Sequence, residues 1–370
     1  MFSVATGYVL GILKDNPELQ ELLIQIDGHG KPEKAYNYPK LNHLIGKGEK
    51  VVVNTAAVKL GLGTGGRHFV IPQYAAAGDE FEFPGHIMKL RYTPWQFPVL
   101  AAEEEDSPYH EALKDCRTLE GTPVVMAPLH SMLPGVILGF RAVFQNPRIA
   151  YIMTDGAALP IALSDLVREL KKKHLLDLTV TSGHAFGGDL ETVSVPSAIL
   201  AAQQGINPDL IIIALGPGIV GTGTAFGFSG IEQSWYIDIV SKLQGTALAV
   251  PRISDADSRE RHLGISHHSL TILELASHPA LLGLSKRLPK PFFDRIIDRL
   301  RDHHLLKEHH WYGVNDPSAE DLFKEYQIQV KTMGRGIQED PWFFQSSVTT
   351  GFLAGLAAKG DLSSLEPIVE

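Results

Sequence analysis

The feature that most constrains this chain is a set of short apolar runs beginning at residue 123. They read PVVMA (123–127), RIAYIM (148–153), DLTVT (177–181), LIIIAL (210–215) and ALAV (247–250). With little alternation of apolar and polar residues, they predict strands buried on both faces, as in a parallel sheet covered by helices. Between the last four lie segments of helical period (161–176, 194–205 and 231–245), and Gly205 and Gly245 stand where helix C-caps belong. Strand and helix in alternation predict an α/β fold, a parallel or mostly parallel sheet flanked by helices.

The flanks differ from this pattern. Residues 1–95 carry short apolar stretches at 4–13, 22–26, 50–53 and 68–71, separated by turn formers such as Asp27-Gly28-His29-Gly30. Closely spaced strands with little helical period predict a small β-barrel or sandwich domain. The stretch GLGTGG at 61–66 reads as a tight turn between two of those strands. A connector follows at 96–121, and its acidic run Glu103-Glu104-Glu105-Asp106 reads as a solvated face or helix start. The α/β domain spans 122–370. Its last hundred residues read as mainly helical, the segment 279–288 included, with a final strand at 328–332 and a closing helix at 341–358. His303, His304, His309 and His310 read as a solvated face.

Composition narrows the function classes. The chain has 370 residues, with 42 acids against 33 Lys plus Arg and a formal charge of −9. It offers no basic block to neutralise phosphates, so no nucleic-acid partner is expected. No segment approaches the roughly 20 apolar residues that cross a bilayer, and the start lacks the basic region of a signal peptide, so no membrane partner is expected. A single cysteine, Cys116, excludes an intramolecular disulfide and fits a reducing compartment. The expected location is cytoplasmic.

Segments that follow the predicted strands are rich in His, Arg, Asp and Gly, whereas those entering them (KKKHLLD, QQGINPD) are plain helix ends. In an open parallel sheet, ligands bind where loops leave the carboxyl ends of strands. The candidate catalytic set is His130, Asp155, His184, Asp189 and His267, with His262, His268 and Glu191 beside them. Histidine titrates near neutrality, and next to a carboxylate it works as acid or base. The same residue types also hold metal ions, although neither H-E-x-x-H nor paired cysteines are present, so the metal remains open. Residues 216–221 satisfy G-x-G-x-x-G, but Pro217 occupies its tight turn and further glycines follow where a helix should begin. Gly216, Gly218, Gly221, Thr222 and Thr224 are therefore read as an extended loop offering N–H groups and hydroxyls to an anion. Arg252, Arg259, Arg261 and Arg335 either clamp that anion or form an internal ion-pair network with Asp255, Asp257 and Glu260.

Carried by NTAAVKLGLGTGGRHFV, GHIMKLRYTP, LHSML, MTDGAALP, SGHAFGGDLE, GPGIVGTGT, RISDADSRERHLGISHH and TMGRG, the chain resembles a bacterial family catalogued as a domain of unknown function, number thirty-eight sixty-six in that series. The resemblance runs across nearly the whole chain. It implies a bacterial cytoplasmic protein and brings no catalytic residue or cofactor with it.

The reading is an enzyme, a hydrolase or group transferase, acting on a small anionic metabolite. Its alternatives are a non-catalytic nucleotide- or metabolite-binding sensor or scaffold, with homo-oligomers open, and a nicotinamide-dependent oxidoreductase. The cofactor is left open.

Overall fold

The computed structural model describes residues 3–72, 84–157 and 159–369. The chain divides into two units, one of residues 1–83 with 93–95 and the other of 84–92 with 96–370.

The first unit is a closed barrel of β1 (Val4–Lys14), β2 (Gln20–Ile26), β3 (Glu33–Asn37), β4 (Lys50–Asn54) and β5 (Arg67–Ile71), in the order β1-β2-β3-β5-β4. Strict alternation places Leu22, Ile24 and Ile26 of β2 inside with Val9, Val51 and Val53. The long β1 reaches both neighbours because two register shifts bend it. Gly7 is required there, since a Cβ would lie 2.4 Å from the Gln25 carbonyl oxygen. The 61–66 segment is a turn into β5 in which Gly61, Gly65 and Gly66 adopt positive φ.

In the second unit a hairpin of β6 (Ile87–Lys89) and β7 (Phe97–Val99) precedes the main strands. These are β8 (Pro123–Ala127), β9 (Ile149–Thr154), β10 (Leu178–Ser182), β11 (Leu190–Thr192), β12 (Leu210–Leu215), β13 (Thr246–Ala249), the paired β14 (Ile253–Ser254) and β15 (Gly264–Ile265), β16 (Leu281–Ser285), β17 (His310–Val314) and β18 (Glu366–Ile368). The sheet has nine strands in the order β11-β10-β9-β12-β8-β13-β16-β17-β18, parallel except for β18. Alternate side chains of each strand serve opposite cores. Val124, Met126, Ile211 and Ile213 pack under the helices Val195–Ile206, Gln233–Lys242, His267–Leu275 and Lys290–Asp302. Val125, Ala127, Leu210 and Ile212 pack under Leu133–Arg141, Asp165–Lys172, Ala319–Glu325 and Pro341–Lys359.

Two expected elements are corrected. Segment 279–288, read as helix, contains β16, which with β17 extends the parallel sheet. Segment 328–332, read as a strand, joins no ladder, and only Thr332 bridges, to Arg335. Two solvated readings also change. His309 is buried, its Nδ1 accepting from Ala280 N–H and its Nε2–H donating to the Leu273 carbonyl. Glu104 is buried too, accepting backbone N–H groups of His86 and Ala101. Among the described residues no helix is long and apolar enough to cross a membrane.

The helix Pro341–Lys359 crosses Leu133–Arg141 at backbone contact distance. A Cβ at Gly139 would lie 2.1 Å from Val348 O, and one at Gly351 would lie 2.0 Å from Val136 O. Gly139→Ala and Gly351→Ala are each expected to cost about 1–3 kcal/mol in denaturant unfolding, the clash outweighing the roughly 1 kcal/mol of added helix propensity.

Candidate functional site

Because β8, β9, β10, β12 and β13 run parallel, the loops after them leave from one edge of the sheet. Four of the five form a chain of contacts. Gly183 abuts Asp155, Gly156 abuts Leu215, and Gly221 faces the His268 ring 3.4 Å away from a Cβ position. β8 and β12 are neighbours whose following helices cover opposite faces, which opens a crevice at their carboxyl ends.

Residues 216–219 wall two depressions at this crevice. One, of about 270 Å³, is closed by His130, Lys331 and Met333. The other lies against Thr154, Gly156 and Ser229. Gly218 has φ +107°, which only glycine adopts without strain. The N–H groups of Gly218 and Ile219 meet no acceptor among the described residues. The tip differs from expectation, since the Thr222 and Thr224 hydroxyls bond each other and Gly227, closing the turn. The first α-helical residue afterwards is Gln233, so the glycines do not open a helix as a dinucleotide fingerprint requires.

His130 is fixed by a chain of hydrogen bonds with one consistent set of protons. Tyr151 O–H donates to Leu215 O (3.2 Å), His130 Nδ1–H to the Tyr151 oxygen (3.2 Å), Ser164 O–H to His130 Nε2 (2.7 Å), and Val167 N–H to Ser164 Oγ (3.0 Å). Burial pulls His130 down to about 4, so the ring is neutral and both nitrogens are engaged. It positions the crevice wall.

The carboxylates separate. Asp155 is exposed at the end of β9, next to Glu232, a residue that sequence reasoning missed because it looked like an ordinary first-turn glutamate. Glu232 Oε1 accepts from Thr154 Oγ1, and its carboxyl also bonds Tyr236. Burial, joined by the charge of Asp155, raises the Glu232 pKa despite those two hydrogen bonds. Asp189 lies at the opposite end of β10, bonded to Lys171 (2.5 Å) and to both the N–H and hydroxyl of Thr179. Burial would raise its pKa, but these donors hold it below the usual range. His184 is on the rim, its Nδ1 accepting from Leu90 N–H at 3.1 Å, beside Lys89, which is fully buried on the Gly183 and Ala185 carbonyls and on Glu191.

After β13 the chain forms the β14–β15 hairpin, whose connecting loop brings three guanidiniums onto one buried carboxylate. Asp257 receives Arg252 (2.7 Å), Arg259 (2.9 Å) and Arg335 (3.4 Å), and Arg335 also bonds Asp340 (3.0 Å). Burial opposes ionisation of Asp257, yet the Arg259 hydrogen bonds and the Arg252 charge hold its carboxyl far below the usual range. Three of the four arginines are thus paired, on Asp257 and Asp340; Asp255, Glu260 and the exposed Arg261 make no ion pair among the described residues. Next to them His262, His267 and His268 offer ring nitrogens within 4.8 Å of one another. Burial, reinforced by the arginine charges, lowers His262 and His268 to about 3 and lowers His267 as well.

The family model described as "Protein of unknown function (DUF3866)" matches residues 34–351. The chain belongs to this family. The match starts within β3 and ends within the helix Pro341–Lys359, so DUF3866 spans parts of both units. No curated protein and no solved structure matches the chain.

Two measurements follow from the DUF3866 rim. Glu232→Gln keeps an acceptor for Thr154 and removes an unfavourable charge. The folded pKa lies above the unfolded one, so ionisation weakens the fold as pH rises through that interval. Glu232→Gln is expected to melt higher than wild type at pH 8, with the advantage vanishing near pH 4. Asp257→Asn is expected to destabilise by about 3–5 kcal/mol at neutral pH, since it leaves the Arg252 guanidinium buried without its counter-ion. Here the folded pKa lies below the unfolded value of about 4, so the gap should narrow as pH falls below 4 in urea titrations.

Proposed function

We propose that this DUF3866 member is a bacterial cytosolic enzyme that hydrolyses, or transfers a group from, a small anionic metabolite. The observation that carries the reading is the pairing of Glu232, a carboxyl with a raised pKa, with exposed Asp155, next to the Gly-rich wall whose amides lack acceptors. Unpaired N–H groups at a strand end suit an anion, and Lys331 on the facing wall adds a cation. A carboxylic acid that stays protonated nearer neutrality serves as a general acid, with a second carboxylate to take up a proton. His130 and Tyr151 act as positioning residues that hold the crevice wall.

A non-catalytic metabolite- or nucleotide-binding sensor is the second reading. Val4, Tyr8, Leu10 and Ile12 of β1 project from the barrel and are 52%, 47%, 41% and 38% exposed, an apolar strip suited to a partner or a second copy.

The test screens wild type against phosphomonoesters, acyl phosphates and carboxylate esters, with inorganic phosphate binding followed by calorimetry. The enzyme reading expects turnover of at least one class. Glu232→Gln should then lower kcat by about 100- to 10,000-fold with binding retained, and Gly218→Val should weaken phosphate binding. Phosphate binding without turnover of any class would favour the sensor instead.

A further inference from the structure

We infer that His262, His267 and His268 form a binding site for one divalent transition-metal ion of the zinc class, three imidazoles with a fourth position open to an anion. The inference is independent of whether the protein turns over a substrate.

Five observations converge on it. The three rings meet face and edge, with centroids 4.2–5.0 Å apart, and no hydrogen bond joins one to another among the described residues. The His267 Nε2 atom is buried without a partner, a costly state that a metal would relieve. His262 is 1% exposed and its Nδ1 bonds Ser266 Oγ at 2.7 Å, the outer hydrogen bond that orients a ligating imidazole and leaves Nε2 for the ion. His268 is held from behind by the Phe228 ring, stacked at 3.9 Å and 7°. His267 and His268 begin the helix His267–Leu275, and the His268 N–H donates to Ser266 Oγ, so two of the ligands share a rigid element.

All-imidazole ligation suits zinc, cobalt, nickel or copper and not magnesium or calcium, which take oxygen. Tetrahedral zinc with nitrogen at about 2.0–2.1 Å needs ligand atoms roughly 3.3 Å apart. Metal binding would draw the ligand atoms, now within 4.8 Å of one another, closer together. Three protein ligands are the number found where a position is kept open. Arg252, Arg259, Arg261 and Arg299 all bear on these rings, with Asp257 as the nearby carboxylate. A dication in that field is stabilised by an anion in the open position, so metal and anion should strengthen each other's binding.

The test uses the full chain after chelator treatment, titrated with Co²⁺ and followed by the visible bands of four-coordinate cobalt, with Zn²⁺ as displacer. One cobalt per chain is expected, displaced by zinc, with affinity at least ~100-fold weaker in His267→Gln and in His268→Gln. Both variants replace half-buried residues, and circular dichroism confirms their fold; surface His303→Gln should bind as wild type does. Cobalt uptake that is absent, or unchanged in both variants, overturns the site. Adding phosphate should tighten cobalt binding and shift its bands, and indifference to phosphate overturns the open anion-taking position.

Discussion

The carboxyl edge of the sheet is held in shape by one buried anion, Asp257. Its two oxygens gather Arg252 from the end of β13, Arg259 from the hairpin loop and Arg335 from the turn before the helix Pro341–Lys359. Arg335 is about 80 residues beyond the other two in sequence, and without the carboxylate the buried Arg252 would carry an uncompensated charge. Asp340, taking Arg335 and the Ser254 hydroxyl, extends the same clamp to the start of the long helix. His262 therefore sits on a loop whose path is fixed by charge, and His267 and His268 open the helix that follows β15.

The long helix links that clamp to the core. Glycines on both partners bring its backbone against the helix Leu133–Arg141. Its buried Ser346, Ser347, Thr349 and Thr350 return their hydroxyls to carbonyls three or four residues earlier. The helix after β8 and the turn carrying Arg335 are thereby set by the same packed pair, which places the His130 loop and the Met333 wall on the two sides of one depression.

Much of this architecture was legible in the sequence. Runs such as LIIIAL can be satisfied only by burial on both faces, and the polar segments after them had to share an edge once the strands were parallel. The barrel followed from its closely spaced turns. What stayed hidden was set by partners distant in the chain. β16 is short and lies between a proline and a Lys-Arg pair, so its burial depends on β13 and β17 rather than on any local pattern. Residues 328–332 alternate as a strand should, but no strand edge is offered to them. Glu104 and Glu232 look like solvated acids until burial and backbone donors are known, and Asp189 follows a strand yet folds back to its beginning because Lys171 and Thr179 wait there.

The two edges of the sheet obey different rules, and that contrast argues for function at one of them. At the entering edge, carboxylates finish the backbone: Asp177 accepts Ile149 N–H, Asp209 accepts Arg148 N–H, and Asp189 accepts Thr179 N–H. At the leaving edge the same fold tolerates groups that ordinary packing would pair. His267 Nε2 and both carboxamide atoms of Gln233 are buried without partners, the amides of 218 and 219 lack acceptors among the described residues, and Glu232 keeps a carboxyl where ionisation is penalised. Each such group costs stability. A chain that satisfies its polar groups so thoroughly at one edge has the means to do so at the other. Such atoms also occur elsewhere, at Thr64, His68 and Glu103, but their number along this one rim supports the proposal that a ligand is bound there.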